Sequence, residues 1–127
     1  MILIIGGFHQ GKRRFAGKLT GLGETDTVNG EFCDPENLFE KKMIYNLHSF
    51  VKRLIDRGID PLAFFKKHIN EIRHKVIITD EIGLGIVPID KGERHWREMT
   101  GRVCCFLAEE SGEVYRVYAG IPSKIKG

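Results

Sequence analysis

The sequence predicts an α/β domain in which a mostly parallel sheet lies between two helical layers. Three observations carry that expectation. Apolar runs at 2–5 and 76–79, rich in β-branched residues, read as strands buried on both faces, as in parallel sheets. Apolar residues at helical spacing fill much of the chain between and after those runs. The resulting order of strand, helix, helices, strand, helix and strand needs helices on both sheet faces.

The first strand, 2–5, ends at Gly6 and Gly7, and a helix follows over 11–20 with Phe15, Ala16 and Leu19 toward the sheet. The stretch 21–37 is rich in Gly, Asp, Asn, Glu and Thr. It reads as an exposed connection with a short strand near 25–28. From 38 to 57 the series Met43, Leu47, Phe50, Val51, Leu54 and Ile55 has a helical period, and Gly58 is a C-terminal stop. Asp60 before Pro61 is an N-cap followed by Pro at the first helical position, opening a helix to about 73. The strand 76–79 runs into a flexible, acidic loop over 80–85. A helix over 88–110 turns Trp96, Met99, Val103, Phe106 and Leu107 inward, and 113–119 is the last clear strand. The chain shows no repeat, no low-complexity tract and no boundary, so 1–127 reads as one domain.

Composition narrows the function classes. A net charge of +3 is too small to argue for nucleic acid. No apolar run approaches membrane length, and the apolar start is too short for a signal peptide. Three cysteines, Cys33, Cys104 and Cys105, have neither disulfide nor zinc spacing. They read as reduced thiols of a cytoplasmic protein.

The chemistry concentrates near the start of the chain. Gly6, Gly11 and Lys12 have the spacing of a phosphate-binding P-loop, G-x-x-x-x-G-K-S/T. In such a loop the main-chain N–H groups and the helix dipole meet phosphate oxygens, and the lysine reaches the terminal phosphates. Arg13 stands where the magnesium-holding hydroxyl belongs, and it has no lone pair to offer a cation. Lys12, Arg13 and Arg14 form a cationic run suited to a phosphate, with a solvated helix face as the plainer alternative for the two arginines. His9 lies inside the loop, either as a phosphate partner or acceptor nucleophile or as filler. Asp80 and Glu81 end a strand, where ligands of open α/β sheets gather. They could position magnesium or act as a base, or simply be loop acids. No histidine pair has metal-ligand spacing.

Both ends of the chain resemble one family. The run TDEIGLGIVPIDKGERHWREMTGRV (79–103), the tail EVYRVYAGIPSKIK (113–126) and the start IIGGFHQGKRRFA resemble motifs of the adenosylcobinamide kinase / adenosylcobinamide-phosphate guanylyltransferases of cobalamin biosynthesis, the CobU family. The family motifs are N-E-V-G-x-G-I-V-P, G-R-V-N, G-I-x-x-K-I-K and T-G-G-x-R-S-G-K-S-R-x-A. The resemblance implies a RecA-like P-loop NTPase fold, GTP or ATP as nucleotide, a cobinamide as second ligand and a homo-oligomer, often a trimer. It also implies kinase activity and GMP transfer through a covalent histidine, with magnesium.

Carried over by position, Gly6, Gly7, His9, Gln10, Gly11, Lys12 and Arg13 are the nucleotide-binding set. Lys12 and Glu81 are the candidate catalytic pair, and Asp80 replaces the motif's Asn. Arg94, Arg97 and Arg102 fall in the arginine-bearing helix. Three departures touch the machinery. Arg13 replaces the loop serine, Tyr45 or Asn46 stands where a magnesium-associated Asp belongs, and the shortened centre lacks the histidine stretch H-x-x-R-R-P-x-x-W. Magnesium is thereby placed in doubt. The expectation is a cobalamin-pathway nucleotide binder with impaired or lost catalysis, or else a non-catalytic oligomeric partner that keeps the fold.

Overall fold

The computed structural model describes residues 1–8, 10–82 and 90–127. His9 lies outside the described residues, as does 83–89, which holds the second half of the acidic loop, the Gly-Ile-Val-Pro run and the expected start of the long helix.

The elements in chain order are β1 (Ile2–Gly6), α1 (Lys12–Thr20), β2 (Thr27–Asn29), β3 (Met43–Tyr45), α2 (Leu47–Asp56), α3 (Pro61–Lys67), α4 (Ile69–Ile72), β4 (Val76–Asp80), α5 (Lys91–Glu110), β5 (Glu113–Tyr118) and β6 (Ile121–Lys126). They form a six-stranded sheet in the order β2-β3-β4-β1-β5-β6. All its pairings are parallel except β5 with β6. This is the α/β class that the sequence predicts, in a P-loop NTPase-like arrangement.

The sheet separates two apolar clusters, as a three-layer architecture requires. On one face Leu3, Ile44, Ile77 and Val114 meet Phe50, Val51 and Leu54 of α2, Phe65 of α3, and Met99, Val103 and Leu107 of α5. On the other, Ile4, Ile78, Tyr115 and Val117 pack with Ala16 and Phe15 of α1. Consecutive residues of β1 and β4 thus enter opposite cores, which explains their unbroken apolar runs. The thinner α1 layer leaves Leu19 40% exposed, so Leu19 does not face the sheet as its spacing predicted.

Several boundaries differ from the sequence reading. Met43 belongs to a buried strand rather than to a helix running from 38 to 57. The strand ends at Tyr45, the next residue, Asn46, has a left-handed backbone (φ 58°), and α2 starts immediately after. Asn is among the few residues that tolerate this conformation. Its side-chain amide donates to Asn29 Oδ1 at 3.0 Å, tying β3 to β2. Gly30 is needed beside them, because a Cβ there would stand 2.7 Å from the Asn46 carbonyl oxygen and 2.9 Å from Phe50 Cβ.

The helix expected to reach 73 is broken at His68 (φ −100°, ψ 20°) into α3 and α4. Its start is as read: Asp60 accepts from the amides of Leu62 and Ala63 at 3.0 and 3.3 Å, with Pro61 following. Gly58 (φ 73°) closes α2. β2 covers 27–29 instead of 25–28. Ala119 is a turn residue, not a strand residue. With Gly120 it has positive φ (50° and 76°), the geometry of a tight hairpin turn that leads into β6. No helix among the described residues is long and apolar enough to cross a membrane. Cys33, Cys104 and Cys105 are free thiols.

Candidate functional site

The carboxyl end of β1 lies between those of β4 and β5, and this register builds the site. Gly6 stands level with Asp80 on one side and with Val117 on the other. A Cβ on Gly6 would come 2.4 Å from the Val117 carbonyl oxygen, so the chain passes here only as glycine. Beyond Gly7 the loop is anchored to the β5–β6 turn. Gln10 Oε1 accepts from the Ala119 amide at 2.6 Å, and the Gln10 carbonyl accepts from the Gly120 amide at 2.9 Å. Gly11 (φ 88°) then turns the backbone into α1, and no side chain caps the first amides of that helix.

Lys12 is 5% exposed and points back along the loop. Its ammonium donates to the Gly7 carbonyl at 2.7 Å and meets Asp80 Oδ1 at 2.7 Å. The other Asp80 oxygen, Oδ2, lies 3.3 Å from His48 Nε2. His48 Nδ1 accepts from the Asp80 amide at 3.1 Å, which leaves the ring proton on Nε2, facing the carboxylate. Burial holds the His48 pKa below its ordinary value. Asp80 and Glu31 pull it upward, while the Lys12 charge pushes it further down. The α2 backbone at His48 is fixed by Trp96 of α5, whose Nε1 donates to the His48 carbonyl at 2.8 Å. Trp96 packs against the core, as its sequence spacing suggested, and from there it braces the site.

A cavity of about 180 Å³ opens beside Lys12, lined by Gln10, Gly11, Arg13, Arg14, Tyr45 and Asp80 among others. The Arg13 guanidinium sits over the Tyr45 ring, 4.5 Å from its centre, and approaches Glu24 Oε1 only at 3.9 Å. Three cationic residues, Lys12, Arg13 and Arg14, and one carboxylate thus line this cavity, a composition suited to a small anion.

The structure gathers Gln10, Gly11, Lys12 and Arg13 around this cavity, with Gly6 and Gly7 shaping the approach. Glu81 is set apart. Its carboxylate makes a two-point pair with Arg116, Oε1 to Nε and Oε2 to Nη2 both at 2.9 Å. It lines a second cavity, of about 190 Å³, with Thr100 and Cys104. Arg97 and Arg102 pair with Glu93 and Glu98 along α5 at 3.5 and 2.7 Å. Sequence reasoning missed His48 and gave Arg116 no role. No local signal marked His48, because the strand that precedes its helix was itself read as part of that helix.

The resemblance implies magnesium, and the described residues offer it no uncommitted carboxylate at the phosphate loop. Asp80 is held by Lys12 and His48, Glu81 by Arg116, and Arg13 offers no donor oxygen. Among the described residues no three His, Cys, Asp or Glu side chains converge on a point that could hold a metal ion.

The family model for cobinamide kinase / cobinamide phosphate guanyltransferase matches residues 40–125. That span includes His48, Asp80 and Glu81 but begins after the phosphate loop. Two relatives described as bifunctional adenosylcobalamin biosynthesis protein CobU, from Escherichia coli (strain K12) and Salmonella typhimurium (strain LT2), are each 47% identical over 51 residues. Those residues are 40% of this chain and 28% of each relative's own length. With the family model covering well over half of the residues, the chain belongs to the CobU family.

Proposed function

We propose that the chain binds the phosphates of GTP or ATP at the 6–13 loop, within cobalamin biosynthesis, and that its catalysis is impaired. The observation that carries the reading is the buried Lys12 ammonium at the foot of a cavity edged by Arg13 and Arg14. Family membership supplies the nucleotide class and a cobinamide as second ligand. A helix N-terminus, a buried lysine and two arginines suit the triphosphate moiety without a metal. Impairment is supported by the Arg13 guanidinium at the place of the hydroxyl and by the engagement of both acids with cations. His9 and Gln10 complete the proposed nucleotide set, Gln10 through its backbone anchor.

Calorimetric titration with GTP and with ATP, each with and without magnesium, tests the proposal. We expect binding that ignores magnesium and disappears in Lys12→Ala, with no covalent adduct on incubation with labelled GTP. Magnesium-dependent binding together with phosphate transfer to adenosylcobinamide would show an intact enzyme instead.

A second reading, a non-catalytic oligomeric partner, is favoured by the outer strand β6. Ile121 and Ile125 there are 71% and 57% exposed on an edge of the sheet, beside Tyr118 at the end of β5, which is 73% exposed. No nucleotide binding at millimolar concentration, with a mass above the monomer by sedimentation, would select that reading.

A further inference from the structure

The phosphate loop already holds an anion, and that anion belongs to the chain. Asp80 Oδ1 sits 2.7 Å from the ammonium that a bound phosphate would need. The carboxylate does not reach this place by chance of side-chain rotation. Its backbone is fixed by the β1–β4 register opposite Gly6. His48 then grips the same residue twice, through the Asp80 amide and through Oδ2. The adjoining Glu81 amide donates to the Gly6 carbonyl at 2.8 Å, which prevents the strand end from swinging away. Among the described residues Lys12 also donates to the Gly7 carbonyl.

We infer that Asp80 is a built-in competitor for the phosphate site, a carboxylate latch on Lys12 that His48 holds in place and that an incoming anion must displace. The inference rests on the phosphate-binding reading above and adds its regulation. The physical reason is charge. A phosphate entering the cavity meets the Asp80 carboxylate within a few ångströms in a partly desolvated space, where like charges repel strongly. Lys12 cannot neutralise both anions at full strength, because its single positive charge is already paired with the Asp80 carboxylate at 2.7 Å. His48 is here a positioning residue. It makes no contact with the anion, and it acts by orienting Asp80.

The probe is inorganic pyrophosphate, titrated into the full chain by calorimetry. Asp80→Asn keeps the size of the side chain and removes its charge. We expect it to bind pyrophosphate about tenfold tighter than the unaltered chain, or more, from the relief of one like-charge contact. Lys12→Ala should bind none. A second measurement needs no substitution at Asp80. In the unaltered chain, saturation with pyrophosphate should shift the His48 ring-nitrogen resonances in NMR spectra, because Oδ2 leaves Nε2.

Pyrophosphate binding that requires Lys12 but is no tighter in folded Asp80→Asn overturns the latch and leaves the phosphate-binding reading standing. So does such binding without any change at the His48 nitrogens. If neither the unaltered chain nor Asp80→Asn binds pyrophosphate or GTP, both ideas fail.

Discussion

At the scale of single residues, the site is a chain of dependent charges. Lys12 is tolerated in a buried position because the Asp80 carboxylate and the Gly7 carbonyl accept hydrogen bonds from its ammonium. Removing one partner of such a pair generally costs about 3–5 kcal/mol, since the other charge is left buried alone. His48 contributes in its neutral form. Its folded pKa lies below the ordinary value, so the unfolded chain binds its proton at a higher pH than the folded one does. The contribution of this group is therefore fully present above the ordinary histidine pKa and is lost as pH falls toward the folded value. Thermal unfolding of the unaltered chain should lose stability more steeply below about pH 6.5 than His48→Gln does. Parallel curves would show that the ring does not carry this linkage. The P-loop spacing made Lys12 legible from sequence. Its partners were not, because Asp80 lies 68 positions and His48 36 positions along the chain from it, joined only by the β1–β4 and β3–β4 registers.

At the scale of elements, local chemistry was legible where an end is set by its own residues. Asp60 and Pro61 open α3 as the dipeptide predicts, and Gly58 closes α2 with a left-handed turn. The Asp60 cap satisfies the amides of Leu62 and Ala63, so Asp60→Ala should lower the free energy of urea unfolding by about 1 kcal/mol. Asp60→Asn should recover most of that loss, and equal losses in both variants would implicate charge rather than the hydrogen bonds. Periodicity misled at Met43 because Met43 and Leu47 are four apart, as in a helix, while Met43 enters one core from β3 and Leu47 the other from α2. A single left-handed residue, Asn46, separates the two elements, and hydropathy does not register it. β6 was hidden for the opposite reason. All its residues are exposed, so it shows no buried face to read.

At the scale of the whole molecule, one sheet joins two cores, and each central strand contributes to both. Disrupting one face removes support from the other, which makes unfolding cooperative. Trp96 reports on α5 and the site, whereas far-ultraviolet circular dichroism reports on all elements. Urea transitions followed by the two probes should coincide. An earlier fluorescence transition would show that the α5 layer and the site melt separately from the sheet. The sequence by itself determined the α/β class, the family and the phosphate-loop spacing. Each of these rests on contiguous residues whose hydrophobicity, glycine content or motif acts locally. Only the tertiary structure decided what the loop faces. Parallel pairing of β4 beside β1 brought Asp80 to Lys12, β3 and α2 brought His48 to Asp80, and Glu81 went to Arg116 across the sheet. Such pairings are fixed by strand order and register, which are properties of the assembled sheet and of no one segment.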